Sequence, residues 1–525
     1  VATLFVYVKK EALESPSRTA MGTSDMEGSD VGGTRPILQV HRNVAVQMGT
    51  SRRMSLGWGF SRRSHRDTLT GLSDSSRQPP SHPEHLPREL SPLYSFAALN
   101  ALSFQPVLGG PMILFAKSLG ASSTVLGILS GMMPLLVITQ LPAARFVNRI
   151  GYRRFILTGW SIRVALIFLI ALVPLTGRFL DATTRLVLML GLLLAFNISR
   201  GISSAAWLPW ITELVPVRLR GRHFAKDQLW MNSASMVAFA FSGLLLGPDG
   251  DPWQFSAVFV FSALMGTVSL RFLKRIPDCT PPSEPGGGNG VVPWRAIAAH
   301  PPFRKLLWVN AGWSIAYGGL TTFVVTFLRS GAGLPEDRVL YLMSLSFIGG
   351  AASPWLAGPR LDRLGSKPML GFTMVVGLVI GLGWSLIAGR LLTPGLHLTI
   401  PLLVLLGLVN ALFSAANNRL AMEIVPAMGR NHFFALFMVV WQITLGLSPV
   451  LWGLLLDAIG NRSWSFLGFE WNRYSIYFAL VVVAFAWAFD LCRKLVEPRA
   501  AEVSQLIREL MIEEPRRWWT FFAGR

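Results

Sequence analysis

"SAAWLPWITELVPVRLRGRHFA", residues 204–225, returns as "SAANNRLAMEIVPAMGRNHFFA", residues 414–435. In register, Ser204, Ala205, Ala206, Glu213, Val215, Pro216, Arg220, Phe224 and Ala225 recur as Ser414, Ala415, Ala416, Glu423, Val425, Pro426, Arg430, Phe434 and Ala435. The offset is constant, 414 − 204 = 210, and "GLLL" at 243–246 returns at 453–456 under it. A fixed long period points to duplication.

The chain between and around these copies is 51% hydrophobic and only 14% charged, against about 25% charged in an ordinary soluble protein. Lipid is therefore the expected solvent. The formal net charge of +20 raises the question of nucleic acid. The basic residues sit in short clusters between apolar runs too long for a soluble core, however, and no zinc-finger or RNA-binding motif occurs. Two cysteines, Cys279 and Cys492, make neither a disulfide framework nor a metal cluster. No phosphate-binding GxxxxGK[ST] loop occurs, so nucleotide hydrolysis within this chain is not expected. The sequence implies no cofactor and no metal.

Runs of about 18–25 mostly apolar residues, the length of a membrane-crossing helix, begin after residue 90. They fall near 92–116, 123–143, 155–175, 185–208, 226–247, 254–272, 305–328, 338–357, 369–388, 397–418, 433–456 and 475–492. The expected fold is all-α and integral to a membrane, with twelve transmembrane helices in two pseudo-symmetric six-helix bundles, 91–273 and 304–495. Residues 274–303, rich in Pro and Gly, read as a cytoplasmic linker with one short interfacial helix. The repeat runs through both halves: Asn100-Ala101 matches Asn310-Ala311 at 210, and "VLGILS" at 125–130 matches "VLYLMS" at 339–344 at 339 − 125 = 214. The change of offset falls in loops, where insertions cost little.

Residues 1–90 mix Ser, Gly, Pro and Arg irregularly and are expected to be disordered. "TLFVYV" is too short for a signal sequence. Position 1 is Val, which makes Met21, Met26, Met48 and Met54 alternative starts for an extension that need not be translated. At the other end, 496–525 place Val503, Leu506, Ile507, Leu510 and Met511 on one helical face before Arg516, Arg517, Trp518 and Trp519. This is the pattern of an amphipathic cytoplasmic helix on the inner leaflet. Placing both termini inside puts Arg145, Arg149, Arg153, Arg154, Arg218, Arg220, Arg222, Lys226, Lys274, Arg275, Arg304 and Lys305 on the cytoplasmic face. The expected location is a plasma or inner membrane.

Two loops carry a motif. "ARFVNRIGYRR", 144–154, follows the second run, and "GPRLDRLGSKP", 358–368, follows the eighth. With twelve spans in two halves, they resemble the loop signature of the major facilitator superfamily of secondary transporters: Gly, an acid four residues on, Arg, any residue, Gly, then further basic residues. Gly358, Asp362, Arg363, Gly365 and Lys367 fit it. The first copy keeps Arg149, Gly151, Arg153 and Arg154 but has Ala144 for the Gly and Asn148 for the acid. Glu213 with Arg220, and Glu423 with Arg430, form Glu-x6-Arg, which looks like the acid-to-arginine spacing of sugar porters in that superfamily. The resemblance implies a charged gating network that holds the cytoplasmic ends of the halves together and separates when that face opens.

It also implies that spans one, four, seven and ten line a central cavity. Those spans carry polar stripes: Asn100 and Ser103; Asn197, Arg200 and Ser204; Asn310, Trp313 and Tyr317; Asn410, Ser414 and Asn417. Each set also suits helix–helix glue when taken alone. Arg200 lies about 15 residues, ~22 Å, into its span, a depth at which a cation faces water, a partner or substrate. Arg163 is shallower and is expected to snorkel. No Asp, Glu or His falls near the middle of a run; Asp227, Asp457 and Asp490 lie near ends. The expected activity is non-enzymatic movement of a small organic solute by alternating access, with a preference for an anionic or polar one, by a monomer in a lipid bilayer. Efflux of amphipathic compounds, sugar uptake, and a sensor that retains the fold without transport are the alternatives.

Overall fold

The computed structural model describes residues 91–215, 220–279, 300–393, 395–424, 430–495, 497 and 506. The side chains of 145, 148, 220–222, 357–362, 430–433 and 435 are outside that description. Among the described residues, twelve helical spans are long and apolar enough to cross a bilayer. They are Ser91–Ser118, Ser123–Ala144, Tyr152–Arg178, Ala182–Leu214, His223–Leu246, Pro252–Leu273, Pro301–Gly331, Glu336–Leu356, Ser366–Ala388, Leu396–Ile424, Leu436–Ile459 and Arg473–Arg493. They are numbered one to twelve. The disordered extension, the linker helix and nearly all of the amphipathic tail expected from the sequence lie outside the described residues.

Spans are helical because lipid offers no partner for a free N–H or C=O. The same rule carries helices past the edges of the apolar runs. The fifth span's helix begins at Arg220, not at 226, so "HFAKDQ" is helical. The tenth runs to Ile424. Both first spans of the halves break at matching glycines. Span one is Ser91–Leu108 followed by Gly110–Ser118, and span seven is Pro301–Tyr317 followed by Leu320–Thr326. Gly109 and Gly319 stand at the two breaks, 319 − 109 = 210 apart, so the duplication is conformational as well as textual.

The halves meet along two seams, span two against span eleven and span five against span eight. The first seam is close to backbone on backbone. A Cβ on Gly127 would lie 2.2 Å from the Pro449 carbonyl oxygen, and one on Gly131 would lie 2.1 Å from that of Gly446. Such small-residue contact is how helices associate where apolar burial gives no driving force.

One end of the molecule carries the basic loops; the other is closed by polar contacts between halves. There the Asp457 carboxylate, at the end of span eleven, accepts from the N–H groups of Ser123 (2.9 Å) and Thr124 (2.8 Å) and from the Thr124 hydroxyl (2.7 Å). It caps span two from the opposite half, satisfying N–H groups that a helix start leaves free. In the other seam, Glu336 N–H donates to the Pro248 carbonyl (3.0 Å) and Asp337 N–H to that of Gly247 (3.1 Å). Arg329 bridges Asp249 (3.4 Å) and Glu336 (3.6 Å). A hairpin, Trp464–Phe466 with Phe469–Trp471, joins the last two spans at this end and turns at Leu467 and Gly468, both at positive φ.

Gly131→Val should force the two–eleven seam apart and lower the melting temperature of the purified protein by several degrees, as overpacking by ~1–3 kcal/mol would. Gly191→Ala, at a helical glycine with nothing within 4 Å, should leave it unchanged or raise it; equal losses in the two variants would refute the packing argument.

Candidate functional site

Between the halves lies a cavity of about 740 Å³, walled by spans one, five, seven, eight and ten. Its lining reaches Phe224, Asp227 and Gln228 at the start of span five, Ser353 and Pro354 late in span eight, and Ser414 and Asn418 late in span ten. It therefore sits on the basic-loop side of the closing contacts. Tyr317, Asn410 and Ser414 of the expected residues line it, with Gln105, Asn232, Thr321 and Asn418 supplying further hydrogen-bonding groups. The tyrosine and Thr321 flank the glycine break of span seven.

The other expected residues of spans seven and ten lie behind this wall. Asn310 and Asn417 are fully buried and bond each other through both amides, Nδ2 of Asn310 to Oδ1 of Asn417 at 3.0 Å and the reverse at 2.6 Å. Trp313 stacks between Tyr317 (centroids 5.0 Å) and Phe413 (4.0 Å). Here the polar stripe fastens spans seven and ten and so positions Tyr317.

In the N-terminal half, the Trp160 indole donates to Asn100 Oδ1 (3.2 Å), and the buried Ser103 carbonyl accepts from the Ser262 hydroxyl. Asn197 is buried; its Nδ2 donates to the Leu193 carbonyl (2.9 Å), while its Oδ1 has no partner. Arg200 is partly buried, and the Ser204 hydroxyl donates to its carbonyl (2.6 Å). Arg163 does not snorkel. Its side chain is only 4% exposed, with the guanidinium 4.6 Å from the Trp160 ring centre and 5.0 Å from that of Phe196. Two aromatic faces turn it inward instead of toward a surface.

The loop motifs are tied within their own halves. Gly151 (φ 85°) and Gly365 (φ 90°) make turns that a side chain would strain. Arg153 donates to the Lys274 carbonyl just after span six. Lys367 Nζ donates to the Leu495 carbonyl just after span twelve (2.7 Å), and the Glu497 carboxylate accepts from the N–H groups of Ser366 (2.8 Å) and Lys367 (2.6 Å). Glu213 is exposed near this region of the N-terminal half. Burial, then the Asp278 and Glu213 carboxylates, hold the Cys279 thiol above its ordinary range. Arg149, Arg154, Arg363 and Glu423 are exposed. Asn148, Arg220, Gly358, Asp362 and Arg430 lie in helices but outside the described side chains.

Sequence reasoning missed Asp227. It faces the cavity near Tyr94, whose hydroxyl shares a 3.0 Å hydrogen bond with His223 Nδ1 and whose ring lies under the Lys226 ammonium (4.5 Å). The signal was its place in a polar stretch that is helical.

The sequence model of the Major Facilitator Superfamily matches residues 90–449. The chain belongs to that superfamily. It is an integral, multi-pass membrane transport protein with two six-helix halves. Solved structures share the fold at low identity. A crystal structure of nucleoside transporter NupG is 13% identical with a TM-score of 0.60, covering 78% of this chain and 99% of that one. A bacterial homolog to the human lysosomal transporter Spinster, described as inward-facing and unoccupied, is 15% identical with a TM-score of 0.54, covering 78% and 98%. A POT family transporter in complex with 5-aminolevulinic acid is 13% identical with a TM-score of 0.58, covering 78% and 97%. No curated protein matches in sequence.

Asn310→Ala and Asn417→Ala should each cost about 1–3 kcal/mol by stranding the partner's buried amide, and the double variant should cost less than their sum. Thermal melting of the four proteins checks this; strict additivity would mean the amides do not act as a pair.

Proposed function

We propose that the protein is a secondary transporter that moves a small polar organic solute by alternating access, as a monomer, through a plasma or inner membrane. Both termini and the basic loops face the cytoplasm, in keeping with the positive-inside asymmetry. The observation that carries the reading is a cavity between the halves that is sealed at one end by the Asp457 cap and the Glu336–Pro248 pairing and extends to the other. That is an inward-open state. The loop motifs clamp their own halves in this state, and in the opposite state the Glu-x6-Arg elements and basic loops close the cytoplasmic end.

For the solute, Arg200 favours an anionic group, because no carboxylate pairs with it among the described residues. Asp227 in the cavity wall favours a second reading, efflux of an amphipathic cation. A polar cavity lined by amides and hydroxyls accommodates hydroxyl-rich neutral solutes under either.

Uptake and efflux in proteoliposomes against a charge series of organic anions, sugars and amphipathic cations tests this. Arg200→Gln should slow anion transport about tenfold or more, a loss of ~1.4 kcal/mol or more, and neutral transport much less. Transport of cations alone, abolished by Asp227→Asn, would replace the anion reading with the second.

A further inference from the structure

Arg163, buried, and Arg200, partly buried, are cations on the neighbouring spans three and four. Arg163 stands 163 − 152 = 11 residues into its span, about 16 Å of helix. Its Nε is buried with no acceptor, and its guanidinium lies 5.0 Å from the ring centre of Phe196, one turn before Arg200, where the Ser199 hydroxyl donates to the Gly159 carbonyl (3.1 Å) and holds the two spans together. Neither guanidinium has a hydrogen bond or carboxylate partner among the described residues. A single cation at the centre of a span is costly, and two side by side also repel. Cation–π contact with Trp160 and Phe196 offsets part of that cost and none of the repulsion.

We infer that Arg163 and Arg200 together form a dicationic site in the N-terminal half that takes a doubly charged anionic group such as a phosphate or sulfate ester or a dicarboxylate. The inference rests on the anion reading above and narrows its substrate class. A single negative charge leaves one of the two cations uncompensated; a dianion neutralises both. Planar guanidinium forks suit the oxygens of such groups, each offering paired N–H donors. The Asn197 Oδ1, one turn before Arg200 and without a donor, can accept from a hydroxyl on the same ligand. Trp160 and Phe196 fix the Arg163 fork without consuming its N–H groups, as a preorganised binding group requires.

Binding of radiolabelled inorganic sulfate to the full-length protein in neutral detergent, with phosphate, succinate and acetate as competitors, tests the site directly. Wild type should bind sulfate saturably, and phosphate and succinate should compete at least tenfold better than acetate. Arg163→Gln and Arg200→Gln should each weaken sulfate at least tenfold and erase the preference for dianions, with Arg163→Lys intermediate. Without anion, Arg163→Met should melt at or above the wild-type temperature, because it relieves like-charge repulsion; a merely structural arginine packed on two rings would lower it. Absence of saturable sulfate binding, equal competition by acetate, or sulfate binding unchanged in both Gln variants overturns the site, whatever solute is transported. Sulfate binding as expected, with no solute moved in vesicles, would uphold the site and refute the transport reading instead.

Discussion

The contact on which the rest of the structure depends is the seam where span two meets span eleven through Gly127, Gly131 and Gly446, with backbone within van der Waals reach of backbone. In lipid, apolar side chains gain nothing by leaving their solvent, so two bundles cohere only where surfaces fit closely or polar groups pair. A smooth glycine seam also lets one bundle rock on the other without unthreading side chains. The polar contacts are placed where rocking makes and breaks them: Asp457 on span two, and Glu336 and Asp337 on the end of span five.

The two far-end closures are not equivalent despite the duplication. Under the repeat, Asp457 in span eleven corresponds to Gly247 at the end of span five. In one seam a charged carboxylate accepts the free N–H groups of a helix start; in the other, backbone carbonyls do. The duplicated chain thus retains a symmetric frame while its two closures differ: a carboxylate caps the helix start in one, and backbone carbonyls with the Arg329 ion pairs to Asp249 and Glu336 close the other.

Much of this frame was legible in the sequence. Twelve runs, the repeated phrase and the loop motifs specify the two halves, because hydropathy and glycine requirements are local properties. The roles of individual polar residues were less so. Asn310 and Asn417 carry the same pattern as Asn410, yet the first two pair with each other and the third lines the cavity, a distinction set by helix rotation and by the neighbouring span. Arg163 looked surface-bound from its position alone, since nothing local shows that Trp160 and Phe196 converge on it. Asp227 was legible only as a carboxylate near the end of a run, because hydropathy starts the span at 226, whereas the helix begins at Arg220 and carries Asp227 into the cavity wall.

The central claim, that two rigid halves exchange access around one cavity, is tested most directly by spin-label distances at both ends in the full-length protein. Labels at Glu213 and Glu423 report the end that carries the basic loops, and labels at Thr183 and Leu396 report the opposite one. Asp457→Asn, which removes the charge from the cap, should populate a state in which the Glu213–Glu423 distance shortens while the Thr183–Leu396 distance lengthens, with matching populations. Distances that change in the same direction, or an opposite end that opens while the Glu213–Glu423 distance stays fixed, would contradict the account.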